Sequence, residues 1–281
     1  MTRALTRRSA LLIALLVIVG IAAVVVIAAV LPGGIDWTKT YRPASRAILE
    51  GRSPYTVSGY YNAPWAILPF LPFALLPEAL GRAFVLCIGF VAFAYVAYRL
   101  GAGPASMVVF LLAPSVLHCL LNANIDWLAM LGFVLPPQIG LFFVVTKPQI
   151  GMAMVVYWLY AAWREGGVRE VVRVYAPFTV VMLLSLALFG LWPLRWENTV
   201  GEWWDASFWP GGIPIGLALL VAALTRREEK LAMAASPFLS PHVLLHSWSG
   251  ALVTLVGRTP EIVAAVAGQW ILVIMAATRT P

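Results

Sequence analysis

Uncharged apolar stretches follow one another along the whole chain: residues 10–35, 53–77, 83–98, 100–125, 127–146, 148–163, 174–194, 206–225, 231–257 and 262–278. About 20 residues of helix cross the hydrocarbon of a bilayer, so the pattern predicts about ten candidate spans. The weakest is 64–77, which is short and interrupted by Pro64, Pro69, Pro72 and Pro77; it either dips in or, as the alternation of sides counts it, crosses. The first run, 10–31, would be about 33 Å long as a helix, enough to span and longer than the apolar core of a cleaved signal. It therefore reads as an uncleaved first span.

Composition agrees: 62% of the residues are hydrophobic and 11% are charged, against about 25% charged in a soluble domain. No repeat or long polar linker divides the chain. The expected fold class is all-α, a polytopic transmembrane helical bundle forming a single integral membrane domain over 1–281, with a short amphipathic surface helix after the first span. Cys87 and Cys119 lie inside apolar runs without metal-ligand spacing, which argues against a disulfide framework.

The net charge of +7 does not point to nucleic acid, because the arginines punctuate the apolar runs. Three clusters, Arg3/Arg7/Arg8, Arg164/Arg169/Arg173 and Arg226/Arg227/Lys230, are expected on the cytoplasmic side. Segment 195–210 has Glu197, Glu202 and Asp205 against Arg195, with Trp196, Trp203, Trp204 and Trp209 suited to an interfacial belt, and is expected on the other side. Alternation then places both termini in the cytoplasm.

The longest segment outside the spans, 33–62, is expected to be external yet carries Lys39, Arg42, Arg46 and Arg52. Within it Tyr41, Ser45, Ile48 and Leu49 fall at helical spacing while Arg42, Arg46 and Glu50 form a second stripe, the pattern of a helix lying along the membrane over 40–51. Its arginines either meet lipid headgroups or hold a phosphate-bearing lipid beside an active site. Gly51, Ser53 and Pro54 end that helix, and Tyr55, Tyr60 and Tyr61 supply rings suited to interface depth.

A few polar residues stand out. Asp36, just past the first span, is either a solvated loop residue or, partly desolvated, a carboxylate suited to act as general base. Lys147 opens the turn Thr146-Lys147-Pro148-Gln149 between two spans, where it either snorkels or, with the Gln149 amide, binds phosphate. His242 and His246 are expected on one face of a loosened helix; no third ligand is nearby, which argues against a metal. Helical rise from Lys230 brings His246 toward Asp36. Asn122, Asn124 and Asp126 interrupt an apolar region, and alternation of spans puts them at the cytoplasmic end, as a loop.

Together these residues resemble a known pattern. Asp36, Tyr41, Ala44, Ile48, Gly51, Pro54 and Tyr55, then Tyr61-Asn62-Ala63-Pro64, resemble family 87 glycosyltransferases, membrane mannosyltransferases that use polyprenyl-phosphate-linked sugars. Thr146-Lys147-Pro148-Gln149 with Trp163-Arg164, and Ser236-Pro237 with His242 and His246, follow in that family's order. The resemblance implies inverting transfer of a mannose-like sugar to a lipid or glycan acceptor at the outer face of a prokaryotic plasma membrane. In it Asp36 is the base, and Lys147, Arg42 or Arg46, and His246 stabilise the departing lipid phosphate; Tyr55, Gln149 and His242 join the substrate site. Fixed cations supply the charge stabilisation, so neither metal nor cofactor is implied. The rival readings are a non-catalytic membrane subunit that anchors or assembles a larger complex, and a carrier of a lipid-linked or anionic substrate, the latter weakened by the lack of an inverted repeat.

Overall fold

A computed structural model describes residues 7–195 and 205–279. Among these residues the chain is helical apart from loops and one isolated bridge between Asp205 and Leu244. The elements are α1 (Arg7–Val30), α2 (Arg42–Leu49), α3 (Leu71–Ala74), α4 (Glu78–Arg99), α5 (Pro104–Leu111), α6 (Pro114–Asn122), α7 (Asp126–Leu131), α8 (Pro137–Val144), α9 (Pro148–Phe189), α10 (Ile213–Arg226), α11 (Glu229–Ala235), α12 (Ser249–Leu252) and α13 (Thr259–Arg279), with short 3₁₀ turns between several of them. The helices hide their own backbone polar groups, as a hydrocarbon environment requires. Leu183, Leu184, Leu188, Ile271, Leu272 and Ile274 lie more than half exposed on α9 and α13, whereas Asp126 and Lys147 are buried. That is the inverse of a soluble protein's surface.

By length and composition three described helices can cross a membrane: Glu78–Arg99, Pro148–Phe189 and Thr259–Thr278. Counting α5 and α6, bent by 55°, as one broken span makes four. The expectation of about ten is corrected. Uncharged runs are not uninterrupted helices: proline lacks the amide hydrogen and collides with the preceding turn, so it opens a new helix. Pro104, Pro114, Pro137 and Pro148 each stand at the first position of one. The apolar helices Pro64–Ala74 and Ile213–Arg226 are shorter.

The chain runs between two ends of the bundle. At one end Arg82 of α4 donates to the Leu31 carbonyl past α1 (2.7 Å), and a Cβ at Gly34 would lie 2.8 Å from the Asn122 carbonyl oxygen, so Asp36, Glu78 and the close of α6 lie together. At the other end Lys230 Nζ donates to the Leu100 carbonyl (2.9 Å). Segment 64–77 leaves from the first end and returns to it. Asn62 Nδ2 donates to the Thr146 carbonyl (2.9 Å), and the Ala74 and Leu76 carbonyls accept from Arg46 and Arg42 (3.4 and 3.3 Å).

Helices α7 and α8 form a second hairpin that also starts and finishes at the first end. It closes through glycine: a Cβ on Gly132 would sit 2.8 Å from the Gly140 carbonyl oxygen, and one on Gly151 of α9 would sit 2.4 Å from Val144 Cβ. Small residues let helix backbones approach, the main source of packing energy where solvent offers none. Gly151→Ala is expected to lower stability by about 1 to 3 kcal/mol through overpacking, measured as thermal unfolding in detergent. Helix α9 is two arms, 148–165 and 168–189, broken where Gly166 (φ −150°, ψ 18°) and Gly167 (φ 60°, ψ −146°) leave helical geometry. The Tyr175 hydroxyl on the second arm donates to the Val155 carbonyl on the first.

Arg164 and Arg227 line one cleft at the end marked by Leu100. Arg195 lies over the Tyr55 ring (5.6 Å) at the Asp36 end, so these basic positions partition as the charge pattern expects. Trp196, Trp203, Trp204, Glu197 and Glu202 fall outside the described residues, as does Arg3. Helix α1 finishes at the Asp36 end, whereas α13 starts beside Gly257, whose Cβ position lies 3.7 Å from Lys230 Nζ. From there α13 runs parallel to α5 and α6, with Trp270 donating to the Leu112 carbonyl (3.2 Å) and Gln269 meeting Ser115 (3.1 Å). The surface helix is also shorter than expected: a π-helical turn, Trp37–Tyr41, leads into α2.

Candidate functional site

Trp37 fixes the position of Asp36. Its indole is fully buried, donates to the Glu78 carbonyl (3.0 Å) and packs on Phe70 (6.4 Å between centroids), which anchors the turn after α1 to the start of α4. The Asp36 carboxylate, half-buried, makes no capping bond to the following helix. Its Oδ2 accepts instead from Asn124 Nδ2 (2.7 Å).

Asn124 is set by the close of α6. Ala123 adopts left-handed φ 54° and ψ 43°; the Ala123 amide donates to the Leu120 carbonyl (3.0 Å) and the Asn124 amide to the Cys119 carbonyl (2.9 Å), a Schellman closure. Alanine in that conformation costs about 1 to 2 kcal/mol. The Asn124 side chain has one orientation, because its Oδ1 accepts from the Ile125 amide (2.7 Å). Nδ2 is therefore the donor toward both Asp36 and His246 Nε2 (3.4 Å). A ring nitrogen that accepts carries no hydrogen, so the hydrogen of a neutral His246 is on Nδ1, which donates to Asp126 Oδ2 (2.5 Å).

Asp126 completes the cluster. It is fully buried at the first position of α7, and its Oδ1 lies 2.9 Å from Nζ of Lys147, itself buried. A helix N-terminus favours the carboxylate. Lys147 caps the N-terminus of α9, where the same dipole disfavours a cation, and Asp126 offsets that. Burial works to raise the Asp126 carboxyl, but the adjacent His246 and Lys147 and their hydrogen bonds outweigh it and hold it below the usual carboxylate range. Asp126 is thus an anion that orients two other side chains, not a base poised near neutrality.

The structure links Asp36, Lys147 and His246 through Asn124 and Asp126. It does not bring every expected residue there. Arg42 and Arg46 serve the carbonyls that end the 64–77 hairpin, and Arg42 also lies 3.7 Å from Glu78. Tyr55 donates to the Asn62 carbonyl (2.8 Å) and stacks on Trp192 (6.1 Å); Asn62 in turn holds the carbonyl preceding Lys147. Tyr55 therefore supports the Lys147 turn from behind. Gln149 is half-buried on the first turn of α9. His242 and His246 do not share a helix face: α11 and its 3₁₀ extension finish at Leu239, the chain runs extended through His242, and His242 Nδ1 turns toward Asp205 (4.0 Å).

Asn124 and Asp126 are the residues that sequence reasoning misplaced. Counting 53–77 as a crossing put them at the wrong end, although a carboxylate in an apolar stretch was a signal in itself. The His118 ring stacks on His246 (5.4 Å between centroids). Among the described residues no group of three or more His, Cys, Asp or Glu side chains is placed to hold a metal ion. No protein-family model, curated protein or solved structure matches the chain.

Proposed function

We propose that the chain is an integral membrane glycosyltransferase, moving a mannose-like sugar from a polyprenyl-phosphate donor to a lipid or glycan acceptor, with Asp36 facing the outer side of a prokaryotic plasma membrane. The observation that carries this reading is the convergence of Asp36, Asn124, Asp126, Lys147 and His246, far apart in sequence, at one end of the bundle. In the proposed reaction a free lone pair of the Asp36 carboxylate takes the proton of the acceptor hydroxyl. The acceptor oxygen attacks the anomeric carbon as the bond from that carbon to the phosphate oxygen breaks, and polyprenyl phosphate leaves with its electron pair. Lys147 Nζ, shared between Asp126 and the phosphate, stabilises the leaving charge in a site poor in water. Asn124 holds Asp36 in register.

The test is release of polyprenyl phosphate by purified protein in lipid, supplied with polyprenyl-phosphate mannose and candidate acceptors. One observation favours a second reading. Asp126, Lys147 and His246 are at most 6% exposed and pair with one another, as in a device for locking a fold. A folded protein that releases nothing yet co-purifies stably with other membrane proteins would be a structural subunit.

A further inference from the structure

Two adjoining cavities, of about 270 and 490 Å³, lie at the end of the bundle opposite Asp36, between the first arm of α9 and the α10–α11 turn. Tyr157 and Arg227 line both. The charged residues besides Arg227 are Arg164 and Glu165 in one, and Glu228, Glu229 and Lys230 in the other.

Arg227 is unusual in its backbone. It closes α10 at φ 57° and ψ 41°, a left-handed conformation that L side chains rarely adopt and glycine adopts freely. The turn itself asks for glycine, and the Glu228 amide closes it on the Ala223 carbonyl (3.1 Å) whatever side chain stands at 227. A guanidinium stands there instead, at the junction of the two cavities. Among the described residues neither Arg164 nor Arg227 has an ion-pair or hydrogen-bond partner, whereas Lys230 is engaged by the Leu100 carbonyl. Three carboxylates, Glu165, Glu228 and Glu229, share the opening. A purely anionic ligand would meet them unfavourably; a ligand carrying both signs would not.

Tyr160 (38% exposed) lines the first cavity, and Trp163 (57% exposed) directly precedes Arg164 on α9. Amphipathic rings bordering an apolar surface mark the membrane–water boundary, so the ligand nearest to hand is a lipid headgroup. We propose that this cleft binds a phospholipid headgroup bearing both a phosphate and a primary ammonium, of the phosphatidylethanolamine class, with Arg164 and Arg227 on the phosphate and the three glutamates around the ammonium. This site is independent of the proposed transfer reaction.

Arg227→Gly tests it, because glycine suits the turn while the cation is lost. Full-length protein in detergent would be titrated with phosphatidylethanolamine, phosphatidylglycerol and soluble glycerophosphoethanolamine, with binding read by native mass spectrometry and folding by the thermal midpoint. The variant is expected to keep or raise its lipid-free midpoint and to bind phosphatidylethanolamine at least about tenfold more weakly, as loss of a charge-assisted contact implies. Glu165→Gln is expected to reduce the preference of the otherwise intact site for phosphatidylethanolamine over phosphatidylglycerol. Undiminished binding by Arg227→Gly overturns the proposal, as does equal binding of phosphatidylglycerol by the unaltered protein. Equally tight binding of the soluble headgroup overturns the lipid as its source.

Discussion

Asp126→Asn is expected to destabilise the protein by about 3 to 5 kcal/mol, the usual cost of breaking a buried ion pair from one side. The loss arises because Lys147 (2.9 Å from Asp126) and His246 (2.5 Å) share that one buried carboxylate. Asparagine can still accept one bond, but it leaves the Lys147 charge uncompensated away from water. Thermal unfolding in detergent measures the effect, and Asp126→Asn combined with Lys147→Met should recover much of it, since a neutral pair carries no stranded charge. A loss under about 1 kcal/mol would mean that water reaches Lys147 and the pair is screened. The pH dependence has a definite sign. The folded carboxyl is held below its usual range, so its stabilisation is complete above the unfolded value of about 3.9. It is lost only as pH falls from there through the folded value, and acidification to about pH 5 should leave the Asp126–Lys147 ion pair intact.

Asp36→Asn is expected to leave the fold intact and reduce sugar transfer by about 100-fold or more, a typical contribution of a general base. The side-chain carbonyl of asparagine can keep the bond from Asn124 Nδ2 that Asp36 now accepts (2.7 Å), so the thermal midpoint should hardly move. What disappears is the basic oxygen. The paired measurement is polyprenyl phosphate release and thermal midpoint on the same preparation; full activity in the variant would rule out this mechanism. Lys147→Ala is a poorer probe of chemistry than its position in the sequence suggests, because it also strands Asp126. Its activity loss needs correction for unfolding before it is assigned to the leaving phosphate.

Segment 64–77 shows where a reading by apolar length stops working. Its four prolines announced a broken element, and it does return to the end it left. The α7–α8 stretch is the harder case: 127–146 is uncharged and long enough to cross, yet it folds back because Pro136 and Pro137 restart the helix and Gly132 and Gly140 let its halves touch. Each uncounted return inverts the assigned side of everything downstream. Alternation therefore puts Asn124 and Asp126 at the far end, whereas Asn124 bonds Asp36.

Apolar composition and helical period by themselves determined an all-helical chain with lipid-compatible faces and an amphipathic helix near 40–51, because those properties follow from residue type at local spacing. They also singled out Asp36, Lys147 and His246, since an ionisable group among apolar neighbours is costly wherever the chain goes. Only the tertiary structure decided that Asn124 and Asp126 join them, that Arg42 and Arg46 serve backbone carbonyls, and that His242 turns away to Asp205. Those outcomes depend on hairpin returns and helix breaks whose cost is weighed against packing between segments as far apart in sequence as Trp270 and Leu112, 158 positions. Local spacing holds no record of that balance.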